Sequence, residues 1–418
     1  MKSRTLIPSL AFTYLAAAIS FGLQFWLAKT LGAATFGTFT FGILIANVLE
    51  VVILFGSDRT LIRDLVQSDK PLEVFWLANK LKAIVACFAI PLAALYLLTN
   101  SEVWDVTLLL TCMLGLTGCV KAFTPSSWFD FKGKLAKQVG IVLIEKILFA
   151  GLILASVFLL ESKPNMTTVA SAFCIAVVIG ISLEWTCRPL GTESPSTSKF
   201  KSMTMKGMAL GNLPIALAAL GNLGMTHINQ LTLESSLGPV ALANFAIAFQ
   251  VARISNLFFS QFGRFFGPKI ARVATGFKSR PRFVMHSLFK IATIAFACSL
   301  SLSVTLYFGG WFLIGNFLPP SYEPAVTILV FLCAWCAFFG PATVVNRFIV
   351  SLHMRQIYFS CATIFGAISV ALGYFLIPLF GGSGAAIALL AGHMGSTLTQ
   401  LVLVEHTARK LGGVQTKS

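Results

Sequence analysis

Runs of mostly apolar residues alternate along the chain with short polar or basic segments. About twenty such residues in a helix cross the hydrocarbon core of a bilayer. The pattern predicts about twelve spans, near 7–31, 36–56, 74–98, 104–124, 139–160, 167–187, 207–233, 239–262, 284–308, 324–345, 357–378 and 383–404. The stretch from Leu31 to Val66 shows the grammar best. A glycine-punctuated turn (Leu31, Gly32, Phe36, Gly37, Phe39) opens an apolar run that ends at Gly56, before Asp58, Arg59, Arg63 and Asp64. Within the run, Asn47 and Glu50 stand three apart and so share one helical face.

That stretch has a second copy. Adding 206 to the numbering carries Leu31 to Leu237, Gly32 to Gly238, Phe39 to Phe245, Ala46 to Ala252 and Arg63 to Lys269. The same offset carries Pro8 to Pro214 and Gln24 to Gln230. One constant shift over this length predicts a duplicated half. The polar, Ser/Thr/Pro-rich segment 189–206 falls where two six-helix halves would join. The expected organisation is an N-terminal bundle over 1–188, a linker over 189–206, and a C-terminal bundle with a short tail over 207–418. With both termini on one side, the repeats are parallel rather than inverted. The segment Gly309 to Pro324, rich in aromatics and proline, reads as the longest outward loop.

Composition changes the meaning of the charge. The chain is 56% hydrophobic and only 11% charged, with a mean hydropathy of +0.84. A net charge of +16 would suggest nucleic acid in a soluble protein. Here only Lys29 and Lys163 of the 31 basic residues fall near outward connections. This is the positive-inside pattern, so both termini are assigned to the cytoplasm and nucleic acid is not needed as a partner. The basic N-terminus is followed by an apolar run too long for a cleaved signal, which is kept as the first span. Among the nine cysteines only Cys333 and Cys336 have CxxC spacing, and that pair lies inside an apolar span; the cysteines within spans read as small apolar fillers.

No catalytic or metal-binding constellation is present. No P-loop, GxSxG or HExxH occurs, and the five histidines form no ligand-spaced pair on one helix. An enzyme is not expected. Buried polarity stands out instead. Arg253 lies about 13 Å along the helix from the predicted inner end of its span, where an unpartnered cation costs roughly 2.5 kcal/mol or more. Gln250, Arg253 and Asn256 form a stripe, and under the 206 offset Asn47 and Glu50 form its counterpart. Gln24 and Gln230 make a second equivalent pair, and Asn222, His227 and Asn229 add polarity to the seventh span. His227 titrates in a range that suits a proton carrier. Glu145 and Lys146, being adjacent, are expected on different faces and unpaired, with Glu145 and Glu184 near cytoplasmic water.

The run with LGAATFGTF, the segment GSDRTLIRDLV and the C-terminal LIPLFGGSGAAIALLAG resemble the bacterial polysaccharide transporter family. These are the O-antigen, or lipid-linked oligosaccharide, flippases of the multidrug/oligosaccharidyl-lipid/polysaccharide exporter (MOP) superfamily. The resemblance runs over essentially the whole length. It implies an all-α polytopic membrane protein of about twelve transmembrane helices, arranged as two parallel six-helix bundles around a central cavity. It also implies location in the bacterial inner membrane and export of an undecaprenyl-diphosphate-linked oligosaccharide to the periplasmic leaflet by alternating access. Expected partners are that lipid-linked glycan, membrane lipids, a polysaccharide polymerase and a chain-length regulator. No cofactor is expected beyond H+ or Na+ as coupling ion, with Glu50 and His227 as the coupling residues. For the substrate, Arg253 would meet the diphosphate, Arg59 and Lys29 would guard the two mouths, and Gln24, Asn47, Asn222, Gln230, Gln250 and Asn256 would meet the sugar. Two negative charges leaving an inside-negative cell gain about 4–5 kcal/mol at 100 mV, so the protein's task is a lined path. A multidrug cation antiporter, a peptidoglycan-precursor flippase and a non-transporting assembly scaffold are the alternatives. An antiporter for cations calls for deep carboxylates, whereas the deepest charge here is Arg253.

Overall fold

The computed structural model describes residues 3–68, 70–100, 106–160, 164–189, 204–275, 277, 281–352 and 354–415. The expected linker and the outward Lys163 therefore lie largely outside the described residues, as does the side chain of Arg59. The described residues are almost wholly helical. In order they form α1 (Ser3–Leu54), α2 (Ser57–Gln67), α3 (Pro71–Asn100), α4 (Val106–Ala122), α5 (Ser126–Phe131), α6 (Leu135–Leu160) and α7 (Met166–Thr186). There follow α8 (Met205–Leu223), α9 (Asn229–Thr275), α10 (Pro281–Phe317), α11 (Pro324–Cys336), α12 (Phe339–Ser351), α13 (Arg355–Phe380) and α14 (Gly382–Gln415).

Among the described residues, ten segments are long and apolar enough to cross a membrane. Two of them, Pro8–Leu54 with 47 residues and Met205–Ser260 with 56, are each long enough for two crossings, which brings the number to twelve. The chain is a multi-pass membrane protein. Large apolar side chains such as Phe88, Phe158 and Leu379 stand on outer helix faces, as a lipid environment permits.

The duplication is written in the backbone. α1 breaks at Gly32 with φ 75° and ψ 166°, and α9 breaks at Gly238 with φ 78° and ψ −177°. These two glycines are related by the 206 offset, and their conformation is essentially restricted to glycine. We expect Gly32→Ala and Gly238→Ala each to destabilise the protein by about 1–3 kcal/mol. A fall in Tm of the detergent-purified protein is the check, since neither site has atoms within 4 Å to clash with a methyl group.

The chain divides into two compact units, 1–219 and 220–418. The division falls inside α8, whose first turns belong to the first unit: Thr60 Oγ1 on α2 lies 2.8 Å from Asn212 Oδ1 on α8. Each unit repeats one packing plan. In the first, α1 packs on α3, α4, α6 and α7; in the second, α9 packs on α10, on α11 and α12 of a single span, and on α13 and α14. The α1–α4 crossing is made where Gly118 meets the Ala46 carbonyl. In the second unit the Cys336 thiol donates to the carbonyl of Ala252, the counterpart of Ala46, at 3.3 Å.

The outward loop is shorter than the sequence suggested. α10 runs to Phe317, so Gly309 and Gly310 are helical, and Gly310 lets α10 close onto Leu329 and Val251. The remaining connector holds a short 3-10 turn, Pro320–Tyr322, and is drawn inward. Tyr322 is fully buried and Asn244 Nδ2 donates to the Ser321 carbonyl at 3.2 Å. The prolines, not the glycines, end the helix there.

Candidate functional site

In the second unit the polar residues gather around an irregular turn. Between α8 and α9 the chain forms one π-helical turn, Gly224–Ile228, which carries His227. A π turn inserts one residue and loosens the backbone ladder, a feature frequent at functional sites. The neighbouring side chains satisfy the loosened groups. Thr226 Oγ1 donates to the Asn222 carbonyl at 2.8 Å, and Gln230 Nε2 donates to the Thr226 carbonyl at 2.5 Å. Asn229 Nδ2 donates to Met225 O at 3.3 Å and to Ser369 Oγ at 3.1 Å, while Ser369 Oγ donates to Ala388 O at 2.8 Å. Gln230 is thus buried and bound to its own helix.

His227 is only partly covered. Its Nδ1 is shielded and has no hydrogen-bond partner among the described residues. Arg253 is the charge that acts on it. On α9, Val251, Ala252, Ser255 and Phe259 are buried, while Arg253 and Asn256 are exposed and Gln250 is half-buried. The stripe therefore turns away from its own unit's core. No salt bridge to Arg253 occurs among the described residues. A guanidinium so placed offers a fork of donors to an anion, and the flanking amides offer donors and acceptors to hydroxyls.

The first unit holds the counterparts and something the sequence did not predict. Asn47 and Glu50 are half-buried on α1, and Glu50 acts electrostatically on Lys121 of α4. Gln24 lines a cavity of about 40 Å³ with Ser20 and Lys146, among rings that include Phe39, Phe149 and Phe173. Such a volume holds a few water molecules at most. From this cavity an ionic network leads to the basic helix ends. Lys146 Nζ lies 2.6 Å from Glu145 Oε1, and Lys121 Nζ lies 4.0 Å from the same oxygen and 5.2 Å from the Phe173 ring centre.

Here two expectations fail. Glu145 and Lys146 do pair: the adjacent Cβ atoms diverge, but the long lysine stem reaches back around the helix. Nor do Glu145 and Glu184 face water, being 9% and 5% exposed. Glu145 rests on Gly180 of α7, where a methyl group would stand 3.1 Å from the carboxylate, and Gln138 hydrogen-bonds Glu184. The one signal in the sequence was that Lys121, Glu145 and Glu184 all lie toward basic helix ends. Nothing local says that three helices bring them together.

Two compact units, each holding a long helix broken at an equivalent glycine and carrying a polar stripe, define the class by its fold. Neither protein-family models nor curated proteins match the sequence. Solved structures do, at low identity. The lipid II flippase MurJ in an inward closed conformation superposes with a TM-score of 0.66 at 14% identity, covering 95% of this chain and 87% of that one. An inward-facing multidrug resistance MATE transporter of the MOP superfamily gives 0.62 at 13%, covering 97% and 96%. A Pyrococcus furiosus MOP-superfamily transporter, described as having a binding pocket of reversed polarity that suggests a different function, gives 0.64 at 14%, covering 98% and 96%. The fold is that of the MOP-superfamily transporters.

Proposed function

We propose that the protein is a transporter that moves a lipid-linked, diphosphate-bearing oligosaccharide across the inner membrane from the cytoplasmic to the periplasmic leaflet, by alternating access. The observation that carries this reading is the α9 stripe: an exposed arginine without an acid partner among the described residues, flanked by Gln250 and Asn256. A cation placed deep in a span is rare and marks a path for an opposite charge. A diphosphate needs a cation, and a hydroxyl-rich sugar needs amides. The equivalent α1 stripe supplies Asn47, and Glu50 acts electrostatically on Lys121. Gln24 and Asn222 extend the polar lining, His227 and Glu50 are the groups for coupling to H+ or Na+, and Arg59 and Lys29 stand at the two mouths.

The likeness to a lipid II flippase supports a lipid-linked substrate, and the MATE transporters share the fold. A drug cation would instead seek a carboxylate, and the α9 stripe holds none. The test is reconstitution in proteoliposomes with an undecaprenyl-diphosphate-linked saccharide, reading the headgroup's exposure to an enzyme added outside. Exposure well above that of protein-free vesicles is expected. Protein-dependent export of a drug cation, with no exposure of the saccharide, would sink the reading.

A further inference from the structure

The end of the first unit that the positive-inside pattern assigns to the cytoplasm carries a built cationic corner outside the polar stripes. Its floor is apolar: Leu61, Leu65, Val74, Phe75, Trp128 and Met208 pack together from α2, α3, α5 and α8. The rings around this floor are held in register, Phe75 lying 5.3 Å from Trp128 and Trp76 stacking on Trp185 at 5.9 Å. Arg188, just past the end of α7, lays its guanidinium across three of them. Its central carbon is 5.8 Å from the ring centres of Phe75 and Trp128 and 5.3 Å from that of Trp185.

Two further contacts pin this chain segment. Trp128 Nε1 donates to the Pro189 carbonyl at 3.0 Å, and Lys137 Nζ donates to the Cys187 carbonyl at 3.0 Å. Lys132 shares the Trp128 ring with Arg188, its Nζ 5.3 Å from that ring centre and 5.2 Å from that of Phe131. Lys134 is exposed next to it. The segment 130–137 thus sets three lysines against one carboxylate, Asp130. Arg188 Nη1 is shielded among these rings and has no hydrogen-bond partner among the described residues. Aromatic faces hold a guanidinium in place through cation–π contact. Tryptophan and basic residues together mark the headgroup level of a membrane.

We infer that Arg188, Lys132 and Lys134 form a binding site for the phosphate headgroup of an anionic phospholipid of the adjoining leaflet, with Trp76 and Trp185 receiving the glycerol and upper acyl region. The site is separate from the transport stripe. Its role is to seat the cytoplasmic end of the first unit on a lipid surface.

The experiment is native mass spectrometry of the full-length protein with dioleoyl-phosphatidylglycerol or dioleoyl-phosphatidylcholine, and with undecaprenyl diphosphate as competitor. Wild type should retain the glycerol lipid over the choline lipid. Lys132→Gln and Arg188→Gln should each weaken that retention about fivefold, the effect of one basic residue near an anionic surface. Because Arg188 is packed among rings, the double variant Lys132→Gln, Lys134→Gln tests the site at positions whose change spares the core. Equal retention of the two phospholipids by wild type, or unchanged retention by the double variant, overturns the inference. So does displacement of phosphatidylglycerol by undecaprenyl diphosphate at tenfold lower concentration, which would make the corner a loading site for substrate.

Discussion

Arg253→Ala should reduce export of the lipid-linked saccharide by about thirtyfold or more while leaving the thermal stability of the protein nearly unchanged. The size follows from the cost of removing one partner of a desolvated charge pair, about 2–5 kcal/mol. The unchanged stability follows from geometry. Arg253 turns away from the core of its unit and forms no salt bridge among the described residues, so its loss opens no cavity and orphans no acid. Arg253→Lys should keep part of the rate, because the charge remains and the two-pronged donor geometry is lost. Asn47→Ala, at the equivalent position of the first unit, removes a polar group without a charge and should cost less. The measurement is the initial rate of headgroup exposure in proteoliposomes at matched protein content, with Tm recorded on the same preparations. Arg253→Ala transporting at the wild-type rate would make the arginine a packing residue. A large fall in Tm would do the same.

Gly118→Leu should prevent the first unit from assembling, and Gly118→Ala should already cost about 1–3 kcal/mol. At this position of α4 an added methyl group would fall onto the backbone carbonyl of Ala46 on α1. A backbone atom cannot rotate out of the way as a side chain can, so the helices must separate. That separation would loosen the α1–α4 crossing, which also brings Leu114 against Gly42 and Gly115 against Ile45. Small residues drive helix association in membranes because lipid offers no hydrophobic contrast, and van der Waals contact between close backbones must do the work. Gly151→Ala on α6 is the control with the opposite sign. Nothing lies within 4 Å of a methyl group there, and alanine favours the helix by up to about 1 kcal/mol. Tm and elution profile in detergent should separate the two glycines clearly. Gly118→Ala matching Gly151→Ala would mean that the crossing is loose.

The candidate site was legible in the sequence only in part. Arg253 announced itself, because one cation within an apolar run is improbable without a purpose and helical spacing groups it with Gln250 and Asn256. Gln230 was matched to Gln24 by the 206 offset, yet the two side chains meet different surroundings: Gln230 closes a π turn, whereas Gln24 lines a cavity with Lys146. A periodicity that assumes a regular helix cannot foresee where an extra residue enters the ladder. The Lys121–Glu145–Lys146 network was misread for a related reason. Adjacency fixes where Cβ atoms point, not how far a lysine stem can travel or which carboxylate a neighbouring helix holds still.

By itself the sequence determined the membrane class, the dozen apolar crossings, the internal duplication and the glycines at which both long helices break. Each of these is local: hydropathy acts residue by residue, and a glycine-only backbone conformation at Gly32 and Gly238 leaves its mark at one position. Only the tertiary structure decided which polar side chains turn inward, which lysine meets which glutamate, and that Arg188 lies among Phe75, Trp128 and Trp185. Those outcomes depend on the rotation of each helix about its own axis. In lipid that rotation is set by the fit of backbones at positions such as Gly118 and Ala46, which are far apart in the chain and carry no pattern that hydropathy can read.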